Sequence, residues 1–78
     1  PLPEYPEAAL KDKLEGVVNV RVLVGKDGRV EQVEVIGGTK LFFEAAVATA
    51  RRYRFRPGKH EGEIRKVWMP MPIRFSLK

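Results

Sequence analysis

The 78-residue sequence contains no cysteine and a single histidine, His60. Without thiolates, the chain can form neither a disulfide framework nor a cysteine-ligated metal site. His60 lies in a polar, glycine-containing segment with no second histidine, so we predict a solvated side chain without a metal-binding or catalytic role. No nucleophile, base and orienting group can be assembled from the other residues, and we therefore expect neither enzymatic activity nor a cofactor.

The sequence also lacks a long apolar run. No segment approaches the roughly 20 apolar residues of a transmembrane helix, and there is no signal-peptide pattern. Because the chain begins at Pro1 rather than methionine, we expect a fragment of a longer protein, with any anchor or targeting segment upstream. The length allows one small domain, with room for one sheet and a helix or two.

Cations exceed anions, and the net charge of +5 favours anionic partners. The densest basic segment contains Arg51, Arg52, Arg54 and Arg56, interleaved with Tyr53 and Phe55. It could bind an anionic partner or single-stranded nucleic acid. It could instead be a helix C-terminus with one aromatic anchored in the core, while the arginines stay solvated or pair with glutamates. We favour the second interpretation and expect no nucleic-acid partner, because such proteins usually carry more than one basic stripe.

Alternation of apolar and polar residues is clearest from Lys66 to Leu77. The apolar residues occupy every odd position, which is the period of a strand with one buried face. Pro70 and Pro72 share the other parity, so both missing N–H donors lie on the same side of the strand. A hydrogen-bonded ladder cannot use that side. We therefore predict that this strand forms an edge of the sheet, which is either protected from partners or offered to one.

The N-terminal part of the sequence predicts a linker followed by a helix and a hairpin. Residues 1–5 read as the end of a proline-rich linker, and residues 6–78 as one domain. Pro6 is placed to begin a helix of about two turns that stops at Gly16. Alternating valines then predict a strand, and Gly25 to Gly28 a tight turn. In the returning strand, either Val30 faces outward or a bulge near Glu31 and Gln32 turns it to the core; we favour the bulge.

A second helix and a loop complete the pattern. Thr39 is a candidate N-cap for a helix from Lys40 to about Tyr53, and the segment from Pro57 to Glu63 is predicted to be a polar loop. The order helix, strand, strand, helix, strand predicts an α+β fold. A right-handed crossover then gives a three-stranded antiparallel sheet in the order 2-1-3, with both helices on one face.

These residues resemble the C-terminal domain of TonB-type energy transducers over nearly the whole chain. The matching pieces are Tyr5-Pro6 with Ala9; Gly16 with Val18 and Val20; Asp27-Gly28 with Val30; Ala45-Ala46 followed by Arg51-Arg52-Tyr53-Arg54-Phe55-Arg56-Pro57; and Pro72-Ile73-Arg74-Phe75. The sequence departs from the family pattern at three positions. Phe43 stands where many members have a polar residue, Tyr53 where tryptophan is common, and Pro70 adds a second proline to the last strand.

The resemblance implies a periplasmic domain of a Gram-negative bacterium, tethered by a proline-rich linker to an inner-membrane helix that couples to a proton-driven motor. Such a domain binds the TonB box of an outer-membrane transporter, which adds as a strand beside the last strand of the domain. The partner-binding residues implied in this chain are Trp68, Pro70, Pro72, Arg74, Ser76 and Lys78. Because of the prolines, we expect contact to concentrate on Arg74, Ser76 and Trp68.

Two alternatives remain open at this point. The chain could be a TonB-like envelope module for scaffolding, self-association or binding of an anionic cell-wall polymer such as peptidoglycan, without a transporter partner. Edge-to-edge homodimerisation through the last strand is a weaker option, because proline opposes it. Trp68 could likewise anchor an interface, or cover the open face of the sheet beside Arg21 or Leu23.

Overall fold

The computed structural model describes residues 3–77. The elements are α1 (Glu7–Lys11), β1 (Gly16–Val24), β2 (Val30–Gly38), a short 3-10 helix (Lys40–Phe42), α2 (Phe43–Arg51), β3 (Gly58–His60), β4 (Glu63–Arg65) and β5 (Val67–Phe75). The strands β1, β2 and β5 form an antiparallel sheet in the order β2-β1-β5. This confirms the predicted α+β class and the order of the three main strands, with β5 at an edge.

One face of the sheet carries the hydrophobic core. The buried residues of the sheet are the even-numbered valines of β1 and the last odd positions of β5: Val18, Val20, Val22, Val24, Ile73 and Phe75. Ala9 of α1, Phe42, and Ala46 and Ala50 of α2 complete the same cluster. The small side chains of α2 let the helix lie close to the sheet. Both helices therefore cover the same face, as predicted.

β2 runs beside β1 with two irregularities. The register leaves Glu31 as an extra residue, which is the predicted bulge, and Val30 is half-buried on the core side with Val33 and Val35. A second register shift leaves Ile36 unpaired and 62% exposed. The alternation in the sequence did not indicate this second bulge. Both bulges bend the outer side of β2 away from a regular ladder.

Both helices are shorter than predicted. α1 has five residues, with Pro6 as its cap, and the carbonyl of Pro6 accepts a hydrogen bond from the N–H of Leu10 at 3.0 Å. Ala9 is its one buried residue, so tertiary packing supports little more than a single turn. Gly16 begins β1 rather than ending this helix. Within residues 3–77, no helix is long and apolar enough to cross a bilayer.

The second helical segment also differs at both ends. It opens with the 3-10 helix, and Thr39 stands at its cap position without a side-chain capping hydrogen bond. α2 ends at Arg51 instead of near Tyr53. Tyr53 lies beyond the helix, where its ring stacks on Phe55 with 5.8 Å between centroids, and both rings pack against the core.

The segment predicted as a polar loop contains a two-stranded hairpin formed by β3 and β4. Its turn residues, Glu61 and Gly62, have φ values of 51° and 81°, the geometry of a two-residue hairpin turn. Nearly every side chain of the hairpin is exposed, so the sequence shows no alternation to mark its strands. The prediction of a loop was wrong for this reason.

Candidate functional site

β5 leaves one long strand edge unpaired. The strand pairs with β1 over nine residues without a register shift. In the described part of the chain, no strand lies on its other side. Its side chains alternate strictly between the core face and solvent, as predicted from the odd and even positions. On this side the sheet therefore ends in a strand of regular register.

The direction of the backbone groups along this edge follows from β1. The N–H of Thr39 donates to the carbonyl of Val17 at 3.0 Å, so the odd positions of β1 point their polar groups toward β2. The even positions of β1 consequently point toward β5, where Val18 lies opposite Ile73. Odd positions of β5 thus form the ladder with β1, and even positions direct their backbone groups to the open edge.

Pro70 and Pro72 occupy two of these outward positions, opposite Arg21 and Asn19 of β1. The ladder with β1 loses nothing by their lack of an N–H group. At the open edge, by contrast, the carbonyls of the even positions are all present, whereas within β5 only Trp68 and Arg74 retain a donor. The edge is rich in acceptors and poor in donors.

Trp68 lies on the open face of the sheet. It stands opposite Leu23, and the guanidinium carbon of Arg21 lies 4.2 Å from the centroid of the indole ring. Arg21 is held in turn by a 2.6 Å ion pair with Glu34. The indole is still 39% exposed. Trp68 therefore covers the open face as one interpretation predicted, and its role as an interface anchor stays a prediction.

The C-terminal end of β5 is fastened by residues from the other end of the domain. The N–H of Leu77 donates to the Glu15 carboxylate at 2.7 Å, and the Ser76 hydroxyl lies 3.5 Å from the same oxygen. The Tyr5 hydroxyl donates to the Leu14 carbonyl and lies 3.4 Å from the carbonyl of Phe75. Lys78, also named among the predicted binding residues, falls outside the described residues.

Aromatic rings connect Tyr5 to the same strand. Phe42 and Phe75 stack with 4.4 Å between centroids, and the Tyr5 ring meets both edge-on at 5.5 and 5.7 Å. Burial of the hydroxyl, and secondarily the nearby Glu15 carboxylate, raise the pKa of Tyr5. The sequence analysis did not assign Glu15 or Tyr5 to this site. The position of Glu15 could have been inferred, because Gly16 pairs with Phe75 and Glu15 directly precedes Gly16.

The basic segment at the end of α2 divides into two parts. Arg51 and Arg52 belong to the end of the helix, and Arg52 forms a 3.2 Å ion pair with Glu4. Arg54 and Arg56 follow on extended backbone, alternating with half-buried Tyr53 and Phe55. Both aromatics pack against the core, where the favoured interpretation predicted one of them. Binding of an anionic partner by the arginines remains a prediction.

Groups able to hold a metal ion are not brought together. Among residues 3–77, no cluster of three or more histidine, cysteine, aspartate or glutamate side chains has the required proximity. His60 is exposed on β3, with Nε2 lying 3.6 Å from a carboxylate oxygen of Glu61. Two sets of groups remain as candidates for binding a partner. They are the backbone hydrogen-bonding groups at the β5 edge and the cationic side chains near the end of α2.

The chain matches a family model described as the Gram-negative bacterial TonB protein C-terminal domain, over residues 1–77. It is 34% identical to the protein tonB2 of Pseudomonas aeruginosa over 79 aligned residues, covering 99% of this chain and 29% of the relative. It is 41% identical to the TonB protein of Escherichia coli over 59 residues, covering 73% of this chain and 25% of the relative. The chain thus spans between a quarter and a third of the length of these curated relatives.

Proposed function

Because the chain belongs to the family of TonB C-terminal domains, we propose that it is the partner-binding domain of a TonB-type energy transducer. It receives the TonB box of an outer-membrane transporter as an added strand at the open edge of β5. It works in the periplasm of a Gram-negative bacterium, tethered to the inner membrane, where a proton-driven motor acts on the remainder of the protein. The single observation that carries this proposal is the regular, unpaired edge of β5 in the described residues.

The pattern of donors and acceptors defines how the guest strand pairs. The guest donates N–H groups to the outward carbonyls of β5, but it finds no donors at Pro70 and Pro72. Pairing in both directions is available at Trp68 and at Arg74. The ladder is therefore concentrated toward the two ends of β5. The indole of Trp68, partly exposed and held by Arg21, supplies apolar contact at one of them.

Contacts of the N-terminal segment suggest how tension would reach this edge. The N–H of Glu4 donates to the Thr49 hydroxyl at 3.1 Å, and its carboxylate pairs with Arg52. Tyr5 packs against Phe42 and Phe75, and Phe75 is itself part of β5. A pull applied ahead of Glu4 therefore loads α2 and the aromatic cluster beneath the edge strand. The guest strand and the pulling segment are connected through the core and not through a flexible loop.

The proposal is tested by NMR titration of the isotope-labelled 78-residue chain with a synthetic TonB-box peptide at low and high salt. We expect chemical-shift changes centred on Trp68 and Arg74 that largely survive the increase in salt, because backbone hydrogen bonds carry the contact. Even pairing through Pro70 and Pro72, or changes confined to the segment from Arg51 to Arg56 that disappear in salt, would contradict it.

Two substitutions at one position separate backbone from side-chain contributions. Arg74→Pro removes the outward N–H and is compatible with the fold, since Pro70 and Pro72 are accommodated at the same parity. Arg74→Ala keeps that N–H and removes the guanidinium. We expect the proline variant to bind the peptide about 2- to 10-fold more weakly than the alanine variant, the effect of one net hydrogen bond. Equal affinities would place the guest strand elsewhere.

A further inference from the structure

Three exposed arginines, Arg29, Arg54 and Arg56, lie on two backbone segments that meet at the start of β2. Arg29 and Arg54 pair as an isolated antiparallel bridge beside the start of β2. Val30, Tyr53 and Phe55 all pack against the core, so Arg29, Arg54 and Arg56, which alternate with them, point away from it. Although Arg51 and Arg54 are close in sequence, Arg51 belongs to α2 on the covered face.

The bridge holds two like charges directly opposite each other. A hydrogen bond of 2.9 Å from the Phe55 N–H to the Gly28 carbonyl flanks the pair, which identifies the non-hydrogen-bonded type of antiparallel pairing. In that type the side chains lie closest, with Cα atoms about 4.5 Å apart. Like charges in this position are destabilising. An anion between them would relieve the repulsion.

Nearby carboxylates give this group little compensation. Asp27 reaches Arg29 at 3.6 Å, and both side chains are more than 60% exposed. The acidic residues of β2 have other cations: Glu31 pairs with Lys66 at 2.9 Å, and Glu34 with Arg21 at 2.6 Å. Arg54 donates to the backbone carbonyl of Tyr53 at 3.2 Å. With Asp27 included, the three arginines retain a local charge of about +2.

The backbone that presents the arginines is firmly held. Gly28 has a φ of 84°, and a Cβ atom there would collide with the Phe55 carbonyl. The two segments therefore lie too close together for a side chain at Gly28. The stacked rings of Tyr53 and Phe55 fasten the other side of the extended segment to the core. Such support lowers the entropic cost of arranging several guanidinium groups around one ligand.

We propose that Arg29, Arg54 and Arg56 form a binding site for a phosphate-class anion, either a soluble phosphate or the phosphate of a lipid head group. Phosphate oxyanions present several acceptor oxygens, and planar guanidinium groups bind them in bidentate fashion. A carboxylate has two oxygens and one charge, which is a poorer match to three arginines. This site is separate from the β5 edge and does not depend on strand addition there.

The first test is an NMR titration of the 78-residue chain with inorganic phosphate against chloride at constant ionic strength. We expect saturable shifts at the backbone amides and Nε–H groups of Arg29, Arg54 and Arg56. In a second arm, co-sedimentation with phosphatidylcholine vesicles is compared with and without phosphatidylglycerol. Saturable phosphate shifts identify a soluble ligand, and vesicle binding that requires phosphatidylglycerol identifies a head group. A response in neither arm overturns the proposal.

A matched pair of variants removes the same charge from two places in the basic segment. Arg54→Gln is expected to weaken binding in the responding arm about tenfold, the effect of losing a charge-assisted hydrogen bond at an exposed site. Arg51→Gln, on the opposite face, is expected to weaken it no more than about twofold through the general field. Equal losses would mean that the segment acts as a diffuse charge without a defined site, and would overturn the proposal.

Thermal unfolding supplies a readout that does not need a measured affinity. Without phosphate, Arg54→Gln is expected to raise Tm by about 1–4 °C, because it removes the repulsion with Arg29. Where the inorganic phosphate arm responds, phosphate at constant ionic strength is expected to raise Tm of the wild-type chain and to leave that of the variant unchanged. A lower Tm of Arg54→Gln without phosphate, or, where that arm responds, an equal rise of Tm in both proteins, would contradict a site built around this pair.

Discussion

The two outer edges of the main sheet are built in opposite ways. On β2, two bulges interrupt the register, and Arg54 bridges to Arg29 just ahead of the strand. On β5, nine residues pair with β1 without a shift, and only Pro70 and Pro72 disturb the open side. The first edge is irregular in shape. The second is regular in shape and modified only in its hydrogen-bonding groups.

This difference bears on which strands can add to each edge. A bulged edge disfavours pairing with a regular strand, since its hydrogen-bonding groups are no longer evenly spaced along the edge. Proline removes a donor but leaves the carbonyl of its own residue in place. When two copies of β5 meet, donors are missing on both sides, whereas a guest strand without proline supplies its own. We infer that the chemistry of the β5 edge disfavours self-pairing more strongly than it disfavours a guest.

The largest effect is expected when the segment from Tyr53 to Phe55, which pairs with Arg29 beside the start of β2, is displaced. Gly28→Ala places a Cβ atom against the Phe55 carbonyl and forces an L-residue to adopt a φ near 84°. The free energy of unfolding is expected to fall by about 2–4 kcal/mol, as measured by urea denaturation. The amide signals of the segment from Tyr53 to Phe55 should shift most, because that segment is displaced.

A glycine substitution at Gly37, which lies in β2 and not in the turn that precedes it, controls for this experiment. A Cβ atom at Gly37 meets no heavy atom within 4 Å. Gly37→Ala is therefore expected to change stability by no more than about 0.5 kcal/mol. If both substitutions lowered the free energy of unfolding equally, the close approach of Gly28 and Phe55 would not be what holds the segment from Tyr53 to Phe55 beside β2.

Much of this contrast between edges could be predicted from local sequence. The parity of Pro70 and Pro72 indicated the open edge, and the misplaced parity of Val30 indicated the first bulge of β2. Both inferences depend on residues only a few positions apart, where the period of a strand is a strict constraint. The topology followed because a helix between two strands restricts the connections that remain.

Other features depend on contacts between residues that are far apart in the sequence, and these were not predicted. The second bulge at Ile36 leaves an apolar side chain exposed, contrary to what burial alone favours. The tie between Glu15 and Leu77, 62 residues apart, required the register of β1 and β5. The division of the basic segment likewise appeared only once Arg54 was paired with Arg29. In each case, position along the chain did not determine the neighbour in space.

A smaller effect is expected when the donors of the β5 edge are restored. The double substitution of Pro70→Ala and Pro72→Ala adds two outward N–H groups without altering the ladder with β1. We expect tighter binding of a guest peptide, by about 0.5–1.5 kcal/mol for each hydrogen bond formed, and measurable self-association in sedimentation experiments. Single substitutions should give intermediate behaviour. A double variant that stays monomeric and binds the peptide unchanged would show that the prolines do not control this edge.

The smallest effect concerns the residue that fastens the end of β5. The raised pKa of Tyr5 means that the folded state holds the hydroxyl neutral more strongly than the unfolded chain does. The stability from this group is therefore complete below about pH 10 and is lost as the pH rises through the higher pKa of the folded state. We expect the difference in Tm between the wild-type chain and Tyr5→Phe to narrow over that range.

Glu15→Gln distinguishes the two causes of this pH dependence. It removes the carboxylate that disfavours the tyrosinate, while an amide can still accept the hydrogen bond from Leu77. Burial is the larger cause of the raised pKa. The difference in Tm between proteins with Tyr5 and with Tyr5→Phe should therefore still narrow with rising pH, by nearly the same amount, when both also carry Glu15→Gln. If this narrowing vanished there, the Glu15 charge and not burial of the hydroxyl would govern Tyr5. The fastening of the open edge would then depend on salt as well as on pH, unlike the backbone contacts that cover the start of β2.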